Sequence, residues 1–218
     1  MFIPLKDLNP RRTYPYVNTV LILINIAAYI YEVTLPAHAQ QAFLLANATV
    51  PSRFPSALAG HMSFEAAFFP LLTSMFLHSG IAHIAGNMLF LWIFGDNVED
   101  YFGHIPYLCF YLVCGLVAGL LHVLFNLHSM LPALGASGAI SGVMGAYALL
   151  YPRARVLTLV FVFLVPIPAI LILGVWFALQ FLNAIGTLGG SVAGGVAFWA
   201  HVGGFVAGLL ITMIVRRR

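Results

Sequence analysis

The chain has 218 residues, of which 62% are hydrophobic and 7% charged, with a mean hydropathy of +1.00 and a net charge of +3. A soluble domain carries about 25% charged residues, so this composition excludes a soluble globular protein and indicates an integral membrane protein. The length holds six spans of about 20 residues with short connections and no second domain, and the small positive balance carries no argument for nucleic acid.

Residues 1–16 form a polar, proline-punctuated lead ending in Arg11 and Arg12, with none of the features of a cleavable signal peptide. A first span is predicted over about residues 17–33, closed by Pro36. Residues 36–70 make a long connection containing Pro51, Pro55, Gly60 and Pro70, and its apolar stretches suit a membrane-associated loop. A second span covers about 81–94 and ends at Asp96, Glu99 and Asp100; a third covers about 105–125. Cys109 and Cys114, five apart in that span, fall on different helix faces, which argues against a mutual disulfide and for two small core residues. The fourth span runs over about 135–151 and stops at Pro152-Arg153. The fifth, over about 156–185, contains Pro166 and Pro168 and is expected to be kinked near its start. A glycine turn at 186–190 leads to the sixth, over about 192–215, before the basic tail at 216–218. The expected organisation is therefore all-α: a cytoplasmic segment at 1–16, one membrane domain at 17–215, and a cytoplasmic tail at 216–218. Placing both ends inside leaves eight of the nine Lys and Arg residues inside, with only Arg53 outside.

Polar residues stand out against this background. The segment 134–145 is apolar and glycine-spaced, yet carries Ser137 and Ser141. His78, His83 and Asn87 lie at the outer end of the second span, with His83 and Asn87 four apart on one face. His201 lies in the sixth span, about nine residues from its expected start and so on the order of 13 Å below it. Topology puts Ser137, His201, His83 and Asn87 in the same half of the membrane. A serine becomes a nucleophile when a histidine takes its proton, and donors must then hold the oxyanion. None of the six acidic residues is expected inside an apolar span at this level, so a Ser-His dyad is available and a Ser-His-Asp triad is not.

Each residue has a plainer reading. Ser137 is by itself a packing serine, Ser141 competes with it on the same face, and Asn87 can join helices by hydrogen bonding. His122 and His128 read as interfacial, and His38, His61 and His104 as loop or interface residues. Glycine pairs at 115/119 and 204/208 signal close helix packing. Zinc bound by His78, His83 and His201 is disfavoured, since no H-E-x-x-H motif or neighbouring glutamate base is present. The G-x-S-x-G elbow of soluble hydrolases is not matched either. A histidine inside a membrane span is a functional signal in itself, and the conjunction carries the argument.

With these residues in view, the chain resembles the rhomboid intramembrane serine proteases of the compact six-span bacterial type, over about residues 71–210. The likeness rests on His78-x4-His83-x3-Asn87, Gly135-Ala136-Ser137-Gly138, and Ala200-His201-x-Gly203-Gly204 with Gly208 beyond. The resemblance implies a six-helix rhomboid-like bundle with Ser137 as nucleophile and His201 as general base. It also implies an oxyanion hole of His83, Asn87 and the Ser137 N–H, with His78, Gly135, Gly138, Gly204 and Gly208 in support. No metal or cofactor is implied. The implied partners are single-span or other membrane-protein substrates and the lipid bilayer, the implied location is the cell (inner) membrane, and oligomeric state is left open. The fifth helix near 176–181 would be a lateral gate. Two departures concern tuning: Ser141 stands where some members carry a tyrosine stacked on the histidine, so His201 must be oriented by packing or by Ser141, and the first loop has no Trp-Arg pair. The competing readings are a rhomboid-like pseudoprotease that binds transmembrane helices without cutting them, and a small channel or transporter.

Overall fold

A computed structural model describes residues 2–188 and 196–216. Helix α1 (Tyr16–Thr34) is followed by four short helices, α2 (Ala37–Asn47), α3 (Arg53–Leu58), α4 (Phe64–Phe68) and α5 (Pro70–Thr73), and a 3-10 turn at Ser74–Phe76. Then come α6 (Ile81–Phe102), α7 (His104–Phe125), α8 (Ser137–Leu150), α9 (Ala169–Thr187) and α10 (Phe198–Val215). The chain is thus a mostly helical, polytopic membrane bundle. Four helices, α1, α7, α9 and α10, are long and apolar enough to cross a bilayer alone. The stretch Phe64–Phe76 passes the same measure only jointly with α6, bent from it by 75°. Helix α8 has 14 residues, about 21 Å, and buries eleven of them inside the bundle, so it needs no lipid-spanning length.

Several stretches depart from the sequence reading. Residues 156–168 were expected to begin the fifth span, but form two strands, β2 (Arg155–Val160) and β3 (Phe163–Pro168), with α9 starting only at Ala169. Val156, Thr158, Val160, Val162 and Val165 favour extended backbone. Pro166 and Pro168 cannot continue a helix, and they sit on a sheet edge that tolerates them. The proline-rich lead supplies the third strand, β1 (Phe2–Asp7), in the order β1-β2-β3, antiparallel throughout. Helix α6 also runs past Asp96, Glu99 and Asp100 instead of ending before them. Helix α9 continues through Gly186 and Thr187, where the glycine turn at 186–190 was expected to begin. Helix α10 is described from Phe198, and residues 189–190 of that turn, the expected start of the sixth span at Val192, and Arg217–Arg218 lie outside the described residues. Of the two cysteines, Cys114 is buried and Cys109 is exposed, so the second is not a core residue; both are free.

Those carboxylates hold one end of the bundle together. Helix α1 begins after Pro15 with no side-chain cap of its own. Glu99 provides one from α6: its carboxylate accepts the Val17 N–H at 3.0 Å and the Asn18 N–H at 2.6 Å, and bonds the His104 ring. An anion at the positive end of a helix is favourable, and it satisfies two of the four orphan N–H groups. Asn18 extends the link, donating to the Leu91 carbonyl at 3.1 Å and accepting the Tyr107 hydroxyl at 2.8 Å. Asp100 takes the Arg12 and Thr13 N–H groups.

At the middle of the bundle α8 and α10 pack backbone against backbone. A Cβ on Gly204 would overlap the Gly138 carbonyl, and one on Gly208 the Gly142 carbonyl. One on Gly142 would meet Cys114 of α7. Lipid tails are as apolar as leucine, so close van der Waals contact between small residues drives such association.

Replacement of Gly208 by valine is expected to lower stability by about 3 kcal/mol, the upper end of overpacking costs, because the obstructing atoms are backbone. A melt of the detergent-solubilised variant that matches wild type would overturn this packing scheme. The Asp7 carboxyl at the end of β1 is pushed up from 3.8 to about 6, chiefly by burial, with Asp96 adding and the Asn9 N–H opposing. A raised carboxyl favours the folded state while neutral, so this contribution is complete below pH 3.8 and is lost as pH rises to about 6. Asp7→Asn should therefore flatten the pH dependence of the thermal midpoint between those values, read by melts across that range.

Candidate active site

Ser137 is the first residue of α8, and His201 lies in the first turn of α10 as described. The depth inferred for His201 is therefore replaced by a position near its helix start, level with Ser137. Their side chains meet: Ser137 Oγ is 2.8 Å from His201 Nε2. The contact follows from the glycine packing. Gly138 and Gly142 on α8, opposite Gly204 and Gly208 on α10, bring the two helices close enough for these short and medium side chains to touch.

The backbone leading into Ser137 is fixed by the first loop. Thr49 and Ala133 exchange two backbone bonds, at 3.0 and 2.8 Å, and the Gly135 N–H donates to the Ser74 carbonyl at 2.8 Å. Thr49 Oγ1 and Ser74 Oγ are 3.0 Å apart behind this turn. Gly135 has φ +125°, a left-handed conformation that L side chains rarely adopt. A Cβ there would lie 2.8 Å from His83 Cε1 and Nε2 and 3.6 Å from Asn87 Nδ2. Glycine at 135 therefore lets the turn before Ser137 lie directly against both polar side chains of α6.

Those two are held from behind. Asn87 Nδ2 donates to His78 Nε2 at 2.9 Å, leaving its second amide hydrogen for the side facing Gly135. His83 Nδ1 contacts Ser79 Oγ at 3.1 Å, which leaves Nε2 turned toward Gly135. His78 is fully buried in the bend before α6, with its ring centroid 5.1 Å from that of His83. Its backbone N–H donates to Glu32 Oε2 at 3.3 Å. Glu32 is thus a buried carboxylate at the level of these residues, contrary to the expectation that no acid lies there, and it serves His78 and not His201. Among the described residues, no group of three His, Cys, Asp or Glu side chains is placed to hold a metal ion.

His201 has a second partner that the sequence did not announce. Its Nδ1 lies 2.7 Å from Gln180 Oε1 on α9. The Trp176 ring of the same helix sits 5.7 Å from the imidazole, centroid to centroid. Ser141 does not orient the histidine: its hydroxyl donates to the Ser137 carbonyl at 2.6 Å, within α8. The available signal was the pair of amide side chains in the apolar run of α9, Gln180 and Asn183, a placement that calls for partners. Asn183 bonds within its own helix, to the Leu179 carbonyl, and Gln180 reaches out to His201.

A family profile described as the Rhomboid domain matches residues 65–218. The chain belongs to the rhomboid family. Curated relatives include "Rhomboid protein 1, mitochondrial" of Saccharomyces cerevisiae, 32% identical over 64% of this chain and 40% of that protein. "Rhomboid protease GluP" of Bacillus subtilis is 36% identical over 60% of this chain and 25% of that protein. "RHOMBOID-like protein 6, mitochondrial" of Arabidopsis thaliana is 43% identical over 35% of this chain and 24% of that protein. This rhomboid thus spans less than half the length of these relatives.

Chemically, the arrangement offers a hydroxyl next to an imidazole nitrogen, a helix N-terminus with unbonded N–H groups, and two side-chain donors on one side. Gly135→Ala should break that juxtaposition by pushing the turn away from His83. The expected result is at least about a tenfold loss in the rate of Ser137 modification by a fluorophosphonate, with the bundle still folded. An unchanged rate would show that the contact with α6 is dispensable.

Proposed function

We propose that this rhomboid is a serine-type intramembrane endopeptidase that cleaves transmembrane segments through a Ser137–His201 dyad and an acyl-enzyme. The observation that carries the reading is the 2.8 Å contact between Ser137 Oγ and His201 Nε2 at the starts of two glycine-packed membrane helices. The name of the Bacillus subtilis relative, a rhomboid protease, points the same way.

In this mechanism His201 Nε2 takes the Ser137 proton as Oγ attacks the scissile carbonyl. The oxyanion forms against the Ser137 N–H at the α8 N-terminus, with Asn87 Nδ2 and His83 Nε2 as the further donors. The imidazolium then returns its proton to the leaving amine, and water hydrolyses the ester by the reverse sequence. A cavity beside Ser137, lined in part by Thr49, Ser74 and His122, offers water polar partners. No cofactor takes part in these steps.

A substrate helix approaches through the apolar groove between α6 and α9, lined by Leu89, Phe90, Leu171, Val175, Trp176 and Leu179. Helix α9 is loosely held for such a role, burying only Ala169, Ile172, Leu173 and Ala184. The substrates are single-span or other membrane proteins. Lys6, Arg11, Arg12, Arg153, Arg155 and Arg216 gather at the sheet end of the bundle, away from Ser137. By the positive-inside rule this reading has both termini on the cytoplasmic side of the cell (inner) membrane and the site in the outer half. One membrane domain at 17–215, flanked by cytoplasmic segments, completes this reading.

Labelling of the purified protein with a fluorescent fluorophosphonate tests it, alongside cleavage of a transmembrane substrate in liposomes. Ser137→Ala and His201→Ala should each lose label and lower cleavage by about 10³-fold or more, with Ser141→Ala close to wild type. Label that persists in Ser137→Ala, or follows Ser141, would overturn the assignment. A folded wild type that neither labels nor cleaves would shift the reading to a helix-binding pseudoprotease.

A further inference from the structure

The Ser137–His201 pair leaves one requirement unmet. A neutral imidazole accepts the serine proton at Nε2 only if its own hydrogen sits on Nδ1. Nothing in α8 or α10 enforces this. Ser141 is spent on the Ser137 carbonyl, and among the described residues no carboxylate contacts His201. What meets Nδ1 is Gln180 Oε1, at 2.7 Å, from the middle of α9.

We propose that Gln180 is the positioning residue of this active site, holding His201 in the tautomer that acts as a base. With Oε1 accepting from Nδ1–H, the Nε2 lone pair is directed at Ser137 Oγ. When Nε2 takes the serine proton, the imidazolium keeps its Nδ1–H on the same oxygen, so the acceptor serves both states. The opposite arrangement is self-consistent but unproductive: the amide would donate to Nδ1, Nε2 would carry the hydrogen, and Ser137 Oγ would be an acceptor with no base. Geometry alone permits both arrangements, and the chemistry of a nucleophilic Ser137 selects the first.

Because Gln180 lies on α9, the contact also ties the base to the helix that lines the substrate groove. Gln180 and Trp176 are one turn apart and both face His201, the first at Nδ1 and the second across the ring.

This proposal rests on Ser137 being a nucleophile, so wild type and Ser137→Ala are run beside the α9 variants. Gln180→Met keeps length and approximate volume but cannot accept from Nδ1–H; Gln180→Glu, when ionised, can only accept. Each is measured for fluorophosphonate labelling rate, for kcat and KM on a transmembrane substrate in liposomes, and for thermal midpoint. The small probe needs the base but no helix admission through the groove. Gln180→Met is expected to lower the labelling rate and kcat together by about 30-fold or more, with KM within about twofold and an unchanged midpoint. Gln180→Glu should restore both rates to within a few-fold of wild type. Wild-type labelling in Gln180→Met overturns the proposal, as does Gln180→Glu being as slow as Gln180→Met. Absence of label in wild type would instead remove the serine nucleophile itself.

Discussion

The close approach of α8 and α10 is the constraint on which the site depends. A serine Oγ reaches only one bond beyond its Cβ, so an imidazole can touch it only if the two backbones nearly touch as well. Gly138, Gly142, Gly204 and Gly208 satisfy that condition at the expense of side-chain packing, which α7 then supplies through Cys114 and Ala118. The polar pair is therefore produced by an apolar, steric device. The same packing excludes lipid from the midplane of α8, which is why a 14-residue helix can persist there.

Around this pair the remaining elements act as supports at two distances. The first loop fixes the turn before Ser137 through backbone bonds from Thr49 and Ser74. Helix α6 presents Asn87 and His83, and the bend ahead of it buries His78 where Glu32 can receive its N–H. At the other end, Glu99 takes the N-terminal N–H groups of α1 and orders the same helix that delivers Glu32. Two carboxylates at opposite ends of α1 thus bracket the structure, Glu99 accepting two backbone N–H groups and Glu32 one.

Much of this was legible in the sequence because hydrocarbon makes polar residues conspicuous. Ser137, His201, His83, Asn87 and His78 could be picked out, and the apolar runs placed α1, α7 and most of α6. What escaped did so for identifiable reasons. The run from Val156 to Pro168 is apolar enough to pass for a span, and only its β-branched alternation and two prolines marked it as a hairpin. Glu32 looked distant from His78, since 46 residues and a bent loop separate them. Gln180 belongs to no motif, and its value depends on which way α9 faces, which no local pattern encodes.

The small sheet gives the first residues of the chain an unexpected standing. Strand β1 is an edge partner for β2, and β2 turns directly through β3 into the first residue of α9. A hairpin of two strands is marginally stable alone, whereas three with one packed face hold together. Trimming residues 2–7, or fusing a bulky tag against them, would leave β2 with an open edge and the root of α9 on a loosened mount. For anyone preparing this protein, a label is safer placed away from β1, since a change made at one terminus would be felt at the base of a helix more than 160 residues later in the chain.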